Sequence, residues 1–247
     1  MVNLKRTIRI VVLSWLFWLP QPVLAAVING GFAVDFTGWQ SAGDVLLDDG
    51  AVGGSGPTEG AYQALLSTAS TLTDGFNLNF DDPFMDAVSA ADLETFLGLS
   101  GALSSLGAVE GSAILQSFTA NAGEVLSFDW NFLTDDAGLS TDFAFVLIDG
   151  SLTSLADVNS LLLGAGGGFF LDETGYFSFS HTFGTSGSHS LAFGVVDAPD
   201  DIGASGLLVD NVSLAAATSV PEPATLLLLG AGLAGIGIIR RRIEGCG

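Results

Sequence analysis

The stretch EVLSFDWNFL, residues 124–133, decides the fold class. Leu126, Phe128, Trp130 and Phe132 fall on one face of an extended chain, and Ser127, Asp129 and Asn131 on the other. This period-2 alternation is that of a strand with one face in a core. YFSFSHTF (176–183) repeats it, with Phe177, Phe179, His181 and Phe183 on one face. Working outward, further strands are expected at 27–32, 44–47, 61–68, 112–119, 142–148, 189–196 and 206–214, separated by breaks rich in Gly, Asp and Ser. GTSG at 184–187 is expected to be a hairpin turn. Two stretches change period. SAADLETFLGL (89–99) offers a Ser89–Asp92 capping pair, with Leu93, Phe96 and Leu97 at helical spacing. SLADVNSLLL (154–163) repeats the scheme with Ser154 and Asp157. Many strands and one or two short helical insertions predict a mainly β protein, a jelly-roll-type β-sandwich.

Charge divides the 247-residue chain into a body and two ends. All six basic residues are terminal: Lys5, Arg6 and Arg9 at one end, Arg240, Arg241 and Arg242 at the other. Of 27 acidic residues only Glu222 and Glu244 lie outside 26–219, which leaves 25 within it and no Lys or Arg. Such a body repels nucleic acid and anionic lipid, stays soluble and attracts cations. With 49 % apolar residues in the whole chain, the body can still bury a core. The single cysteine, Cys246, lies beyond the terminal arginines and has no intramolecular partner.

The ends read as targeting segments. Lys5, Arg6 and Arg9 precede the short apolar run IVVLSWLFWL (10–19), and VLA (23–25) places small or β-branched residues for cleavage after Ala25. Residues 1–25 are therefore expected to be a signal peptide and 26–219 an extracytoplasmic domain. At the C-terminus Pro221, Glu222 and Pro223 precede an uncharged run, 224–239, and then the three arginines. As a helix that run spans ~24 Å, short of a ~30 Å hydrocarbon core, and the arginines can snorkel to make up the difference. A transmembrane helix is expected there, with 243–247 as a cytoplasmic tail and the body outside.

Pro221, Glu222, Pro223, the apolar run and the arginine cluster together resemble the PEP-CTERM sorting signal of exported bacterial proteins. The resemblance implies a Gram-negative host and processing by an exosortase, a membrane-embedded cysteine protease. It also implies transient anchoring in the inner membrane and an exopolysaccharide or biofilm-matrix setting at the cell surface. NGGFAVDFTGW (29–39) and GLLVDNVSL (206–214) resemble the first and last strands of carbohydrate-binding-module-like, galactose-binding-like jelly rolls. The matching residues are Asn29, Gly30, Gly31, Phe32 and Trp39, then Asp210, Asn211 and Val212. In those families a structural Ca²⁺ often joins the two ends, and an acidic residue commonly follows the Phe. Here Ala33 stands in that place, with Asp35 two residues on.

Oxygen ligands for Ca²⁺ gather in LTDDAGLSTD (Asp135, Asp136, Asp142), in VVDAPDD (Asp197, Asp200, Asp201) and at Asp210 and Asn211. Asp197, Asp200, Asp201 and Asp210 are the preferred set, with Asp35 as a contributor from the first strand. The alternative is that these aspartates serve turns and keep the surface wet. Catalysis is not expected. The body has no G-x-S-x-G, no H-E-x-x-H, no phosphate-binding glycine motif and no cysteine. Its only histidines, His181 and His189, do not close a zinc site. Trp130 and, by the resemblance, Trp39 are expected inside. That leaves Tyr62 and Tyr176 as the aromatics for stacking on sugar, and no ligand-binding set is defined. Two functions remain open: a structural or interaction protein of the surface matrix, or a carbohydrate-binding module for a surface polysaccharide.

Overall fold

The structure is a computed structural model that describes residues 26–78, 86–136, 140–160, 164 and 168–216. The expected signal segment (1–25), sorting and anchor segment (220–242) and tail (243–247) lie outside the described residues. In chain order the elements are β1 (Gln40–Ala42), β2 (Asp44–Asp48), β3 (Gln63–Ser67), β4 (Val88–Ser89), α1 (Ala90–Leu97), a 3₁₀ turn (Ser104–Leu106), β5 (Glu110–Ala120), β6 (Val125–Thr134), β7 (Phe143–Ile148), β8 (Ser151–Asp157), β9 (Asp172–Glu173), β10 (Phe177–Thr182), β11 (Gly187–Asp197) and β12 (Ser205–Ala215). They form two antiparallel sheets. One is ordered β1-β5-β11-β7-β8, with β4 beside β5; the other is β10-β6-β12-β3-β2, with β9 beside β6. From β5 onward the chain passes repeatedly from one sheet to the other, and this builds the expected sandwich.

The alternation in EVLSFDWNFL holds in space. Leu126, Phe128, Trp130 and Phe132 enter the layer between the sheets. They meet Ile114 and Phe118 of β5, Ala144, Val146 and Ile148 of β7, Leu191, Phe193 and Val195 of β11, and Leu207 and Val209 of β12. Phe128 packs edge-on against Phe193 at 4.6 Å. The central strands are also covered on their outer faces. Leu93 and Leu97 of α1 pack on Phe143, Phe145, Ala192 and Val196. Phe170 and Leu78 pack on Leu65, Leu133 and Leu208 of the other sheet. This double burial explains the unbroken apolar run of β7, FAFVLI. The cap of α1 forms as expected: Ser89 Oγ accepts from the Asp92 amide at 3.2 Å, and Gly98 ends the helix in the left-handed region.

Three expectations are corrected. The stretch expected as a second helix contributes to strand β8, which pairs along β7. Asp149 and Gly150 connect these strands with φ of 50° and 77°, the geometry of a two-residue hairpin, and Asp157 accepts from the Asn159 amide at 2.8 Å in the turn that follows. GTSG is not a hairpin turn, because β10 and β11 belong to different sheets; it carries the chain between them. Residues 27–32 form no strand, since Asn29 and Phe32 have φ of 52° and 44°. A side chain takes the place of a neighbouring strand there. Gln116 accepts from the Ile28 amide at 2.7 Å and donates to the Ile28 carbonyl at 2.9 Å. The segment is tied to the bulge in β12 by the Val212 amide, which donates to the Gly30 carbonyl at 3.0 Å. A Cβ on Gly30 would lie 1.8 Å from the Val212 oxygen, so only glycine permits this approach. Phe32 and Trp39 are buried beside it, as expected for Trp39.

Gly194 stands opposite Phe145 in the β11–β7 ladder, and a Cβ there would lie 2.4 Å from the ring. Gly194→Ala is expected to lower stability by about 1–3 kcal/mol through overpacking. Chemical denaturation of the double variant with Phe145→Leu should show a smaller loss than the sum of the two single changes.

The ion pair found among the described residues joins His189 Nδ1 to Asp149 at 2.7 Å. Burial works to raise the Asp149 pKa. Hydrogen bonds from His189 and the Ser190 amide, with the charges of His189 and His181, outweigh it and hold the carboxyl below the usual range. A depressed carboxylate adds stability above its unfolded pKa of ~3.8 and loses it as pH falls through the lower folded value. The stability gap between wild type and Asp149→Asn, no more than about 1 kcal/mol for so exposed a pair, should be full at pH 5 and close below ~3.8 in acid-titrated unfolding curves.

Candidate functional site

The alternation that fills the core continues to one end of the sandwich, but the residues change from apolar to polar. On β6 the inward series Phe128, Trp130, Phe132 is followed by Thr134 and Asp136. On β7 the series Ile148, Val146, Ala144 runs back to Asp142. On β11 Leu191, Phe193 and Val195 lead to Asp197, and on β12 Val209 and Leu207 lead back to Ser205. A buried polar layer therefore closes this end, where the β6–β7 and β11–β12 crossovers pass side by side.

Hydrogen bonds knit the two crossovers together. Asp142 is fully buried. Its Oδ1 accepts from Ser140 Oγ at 2.7 Å and the Ala198 amide at 2.9 Å, and its Oδ2 accepts from Ser205 Oγ at 2.7 Å. Thr134 Oγ1 lies 2.9 Å from Ser205 Oγ and accepts from the Asp136 amide at 2.9 Å. Gly203 passes so close to Asp136 that a Cβ would lie 2.6 Å from its carboxylate.

Asp197 is the exception in this network. It is 0 % exposed, and neither carboxylate oxygen has a hydrogen-bond partner; Asp136 Oδ2 lacks one too. Among the described residues, Asp136, Asp142 and Asp197 are the group of acidic side chains whose ligand atoms all lie within 4.8 Å of one another. Burial, then Asp142, Asp136 and Glu110, push the Asp197 pKa up to about 11. Burial, with Asp142 and Asp200 and against a hydrogen bond from Ser140, raises Asp136 to about 6. Glu110 pairs with Asp197 in the β5–β11 ladder. It too is raised, by burial and by Asp74, Asp201 and Asp86, while Thr73 Oγ1 donates to it at 2.9 Å.

The preferred Ca²⁺ set does not assemble. Of Asp35, Asp197, Asp200, Asp201 and Asp210, only Asp197 belongs to the cluster. Asp200 and Asp201 are exposed on the adjoining loop. Asp210 lies elsewhere, its oxygens engaged by the Thr58 and Glu59 amides at 2.7 Å and the Asn211 amide at 2.7 Å. Asp35 is exposed and accepts from the Thr37 amide at 2.8 Å. The position at which the resembling families join their ends with Ca²⁺ does not assemble a cation site here: Ala33 supplies no side-chain ligand, and neither Asp35 nor Asp210 belongs to a group of carboxylates close enough to share an ion. Asp136 and Asp142, read in the sequence as a separate loop cluster, are the true neighbours of Asp197.

Aromatic residues define a second feature. Trp130 is buried as expected, but it stacks on Phe177 at 5.4 Å, and Phe177 is 53 % exposed. The pair lines a cleft of about 250 Å³ with Leu155, Ala156, Ser160 and Thr174. Of the expected aromatics, Tyr176 is drawn inward to donate to Gln63 Oε1, while Tyr62 is exposed. The two histidines do not converge on a metal: Phe183 lies between them, with ring centroids 5.0 Å from His181 and 4.3 Å from His189.

No curated protein matches the chain. Solved structures to which the chain is similar include TmCBM61 in complex with β-1,4-galactotriose, at 13 % identity and TM-score 0.38, covering 76 % of this chain and 95 % of that one. They also include TmCBM27, a mannan-recognising module, at 16 % identity and TM-score 0.35, covering 72 % and 88 %. A third is the C-terminal family 22 module of Clostridium thermocellum Xyn10B, at 14 % identity and TM-score 0.31, covering 78 % and 99 %. The family model for the PEP-CTERM protein-sorting motif matches residues 219–242, so the chain carries that motif from just before Pro221, Glu222 and Pro223 through Arg240, Arg241 and Arg242.

Proposed function

We propose that this chain is an exported, non-catalytic structural or interaction protein of the cell surface or extracellular matrix, held briefly in the inner membrane and released by an exosortase. The sorting motif at 219–242 carries the reading. Its order is mechanical. The apolar run and arginines halt the chain in the bilayer with the body outside. Proline disfavours helix at its own position and the one before it, so the sequence Pro221-Glu222-Pro223 suits a segment that a protease groove takes up in extended form. The absence of Lys and Arg from 26–219 supports release from anionic surfaces afterwards. One cleft is lined by Leu106, Thr141, Phe143, Leu152, Ser154 and Asp157. Among these described lining residues Asp157 is the one carboxylate, which suits contact rather than paired acid–base chemistry.

A second reading, polysaccharide binding, is favoured by the Trp130–Phe177 stack. A half-exposed aromatic face beside hydroxyl groups is the chemistry that packs against a pyranose ring and hydrogen-bonds its rim. Phe177 would form the platform, backed by Trp130, with the Ser160 hydroxyl at the cleft wall.

Replacing Pro221, Glu222 and Pro223 together by alanine should leave the full-length form in the membrane fraction of the host, while wild type is shortened and released. Unaltered shortening of the triple variant would sink the sorting proposal. The two surface readings separate on a glycan array probed with the full chain in detergent. Polysaccharide binding predicts a defined hit that Phe177→Ala weakens at least tenfold while the variant still unfolds in a single cooperative transition. A blank array, or a hit indifferent to Phe177, removes that cleft as a sugar site and leaves the structural reading standing.

A further inference from the structure

We infer that Asp136, Asp142 and Asp197 form a Ca²⁺ site that staples the β6–β7 crossover to the β11–β12 crossover. Asp197 is fully buried, has no hydrogen-bond donor on either oxygen, and belongs to a group of carboxylate atoms within 4.8 Å of one another. Two oxygens each ~2.4 Å from a common Ca²⁺ are at most ~4.8 Å apart, so carboxylates within that bound can reach one Ca²⁺ together. The donors are all hard oxygens, with no histidine or cysteine in the group, which favours Ca²⁺ over transition metals.

Without a cation the arrangement is costly. The 26–219 stretch has no Lys or Arg to place against the cluster, and the hydroxyl and amide donors nearby are spent on Asp142. The alternative is a proton retained on Asp197, in keeping with its raised pKa. A proton relieves one charge at a time; a divalent ion relieves two and also engages the unpartnered oxygen of Asp136. The ligands come from both crossovers, so the bound ion would hold the two sheets together at the end where the apolar core stops. The site is separate from the position by which the resembling families join their ends, and it does not depend on what the outer surface binds.

The test uses the full chain in detergent after chelator treatment. Equilibrium dialysis with radioactive Ca²⁺ should show saturable uptake of one ion. Millimolar Ca²⁺ should raise the melting temperature more than NaCl of equal ionic strength, and Mg²⁺ should do less, since its tight octahedral shell sheds water reluctantly. Asp197→Asn should abolish uptake and the Ca²⁺-specific shift, yet melt no lower than wild type in chelator, because the amide needs neither the charge nor the bound proton that Asp197 must carry when no ion is there. Asp136→Asn, at the half-exposed edge, should weaken uptake at least tenfold and decides the matter if Asp197→Asn does not fold. Asp200→Asn, on the exposed loop, should leave uptake unchanged within twofold. Ca²⁺ and matched NaCl giving the same melting curve, or undiminished uptake by both the Asp197 and Asp136 variants, would overturn the site. Equal uptake of Mg²⁺ would overturn its assignment to Ca²⁺.

Discussion

The fold must place its carboxylates without lysine or arginine. That constraint shapes nearly every polar contact in the described body. Carboxylates are instead held by backbone amides and neutral side chains. Asp48 accepts from the Val52 and Gly53 amides. Glu94 accepts from the Gly101 and Ser104 amides and so ties α1 to the loop after it. Asp129 takes donors from Thr58, Ser178 and Asn211, which join the 49–62 loop, β10 and the β12 bulge. Such bonds are charge-assisted and directional, which is how an acidic chain can still fix its loops. They also use up the neutral donors. A carboxylate left over, as Asp197 is, has no lysine or arginine in the body to turn to.

The same constraint explains how much of the architecture could be read from the sequence. With no ion pairs to Lys or Arg, the fold rests on apolar patterning, and patterning is what a sequence displays. The strands from 112–119 onward, apart from β8 and the two-residue β9, follow from alternation or, for β7, from an unbroken apolar run. So does α1, from its Ser89 cap and helical spacing. Partnership in space was less legible. GTSG has the composition of a hairpin turn, but whether two strands joined by four residues pair or separate is decided by the sheets they enter. The segment 27–32 is apolar enough for a strand, yet it is organised by the Gln116 side chain and the bulge at Asp210–Ser213. Neither interaction leaves a local trace. The Asp149–Gly150 pair did leave one: a two-residue Asp-Gly turn after the apolar run of β7 predicts a hairpin. It outweighs the helical reading of 154–163, whose apolar spacing SLTSLAD shares with an edge strand.

The acidic cluster was present in the sequence in two halves. LTDDAGLSTD and VVDAPDD each look like an aspartate-rich turn, and most aspartates in such turns face water. The phase of the strands is what separates the three that do not. Extending the core series Phe128–Trp130–Phe132 reaches Thr134 and Asp136; extending Ile148–Val146–Ala144 reaches Asp142; extending Leu191–Phe193–Val195 reaches Asp197. Asp135, Asp200 and Asp201 fall outside those series. An acidic residue in phase with a core series is a stronger signal than an acidic residue in a loop, because burial in that phase forces it to find a partner. The preferred Ca²⁺ set relied on loop proximity instead, and so included Asp210, an outward residue of β12 with amide partners of its own.

A polar layer at the end of a sandwich has a further physical consequence. The apolar core holds the sheets along most of their length without regard to the detail of any one contact. At the Asp136–Asp142–Asp197 end the sheets are joined by hydrogen bonds around carboxylates that repel one another, an arrangement that depends on geometry and on the protons and ions present. The loops at that end, including 198–204, therefore owe their order to interactions more conditional than those of the core. If such a body is released into a matrix, its composition suits the arrangement. The acidic surface keeps it free of anionic membranes and nucleic acid, and the same charge raises the local concentration of divalent cations around it. With the inferred ion bound, order at that end would follow the cations around the protein, because the three carboxylates there stand together and Asp197 has no hydrogen-bond donor.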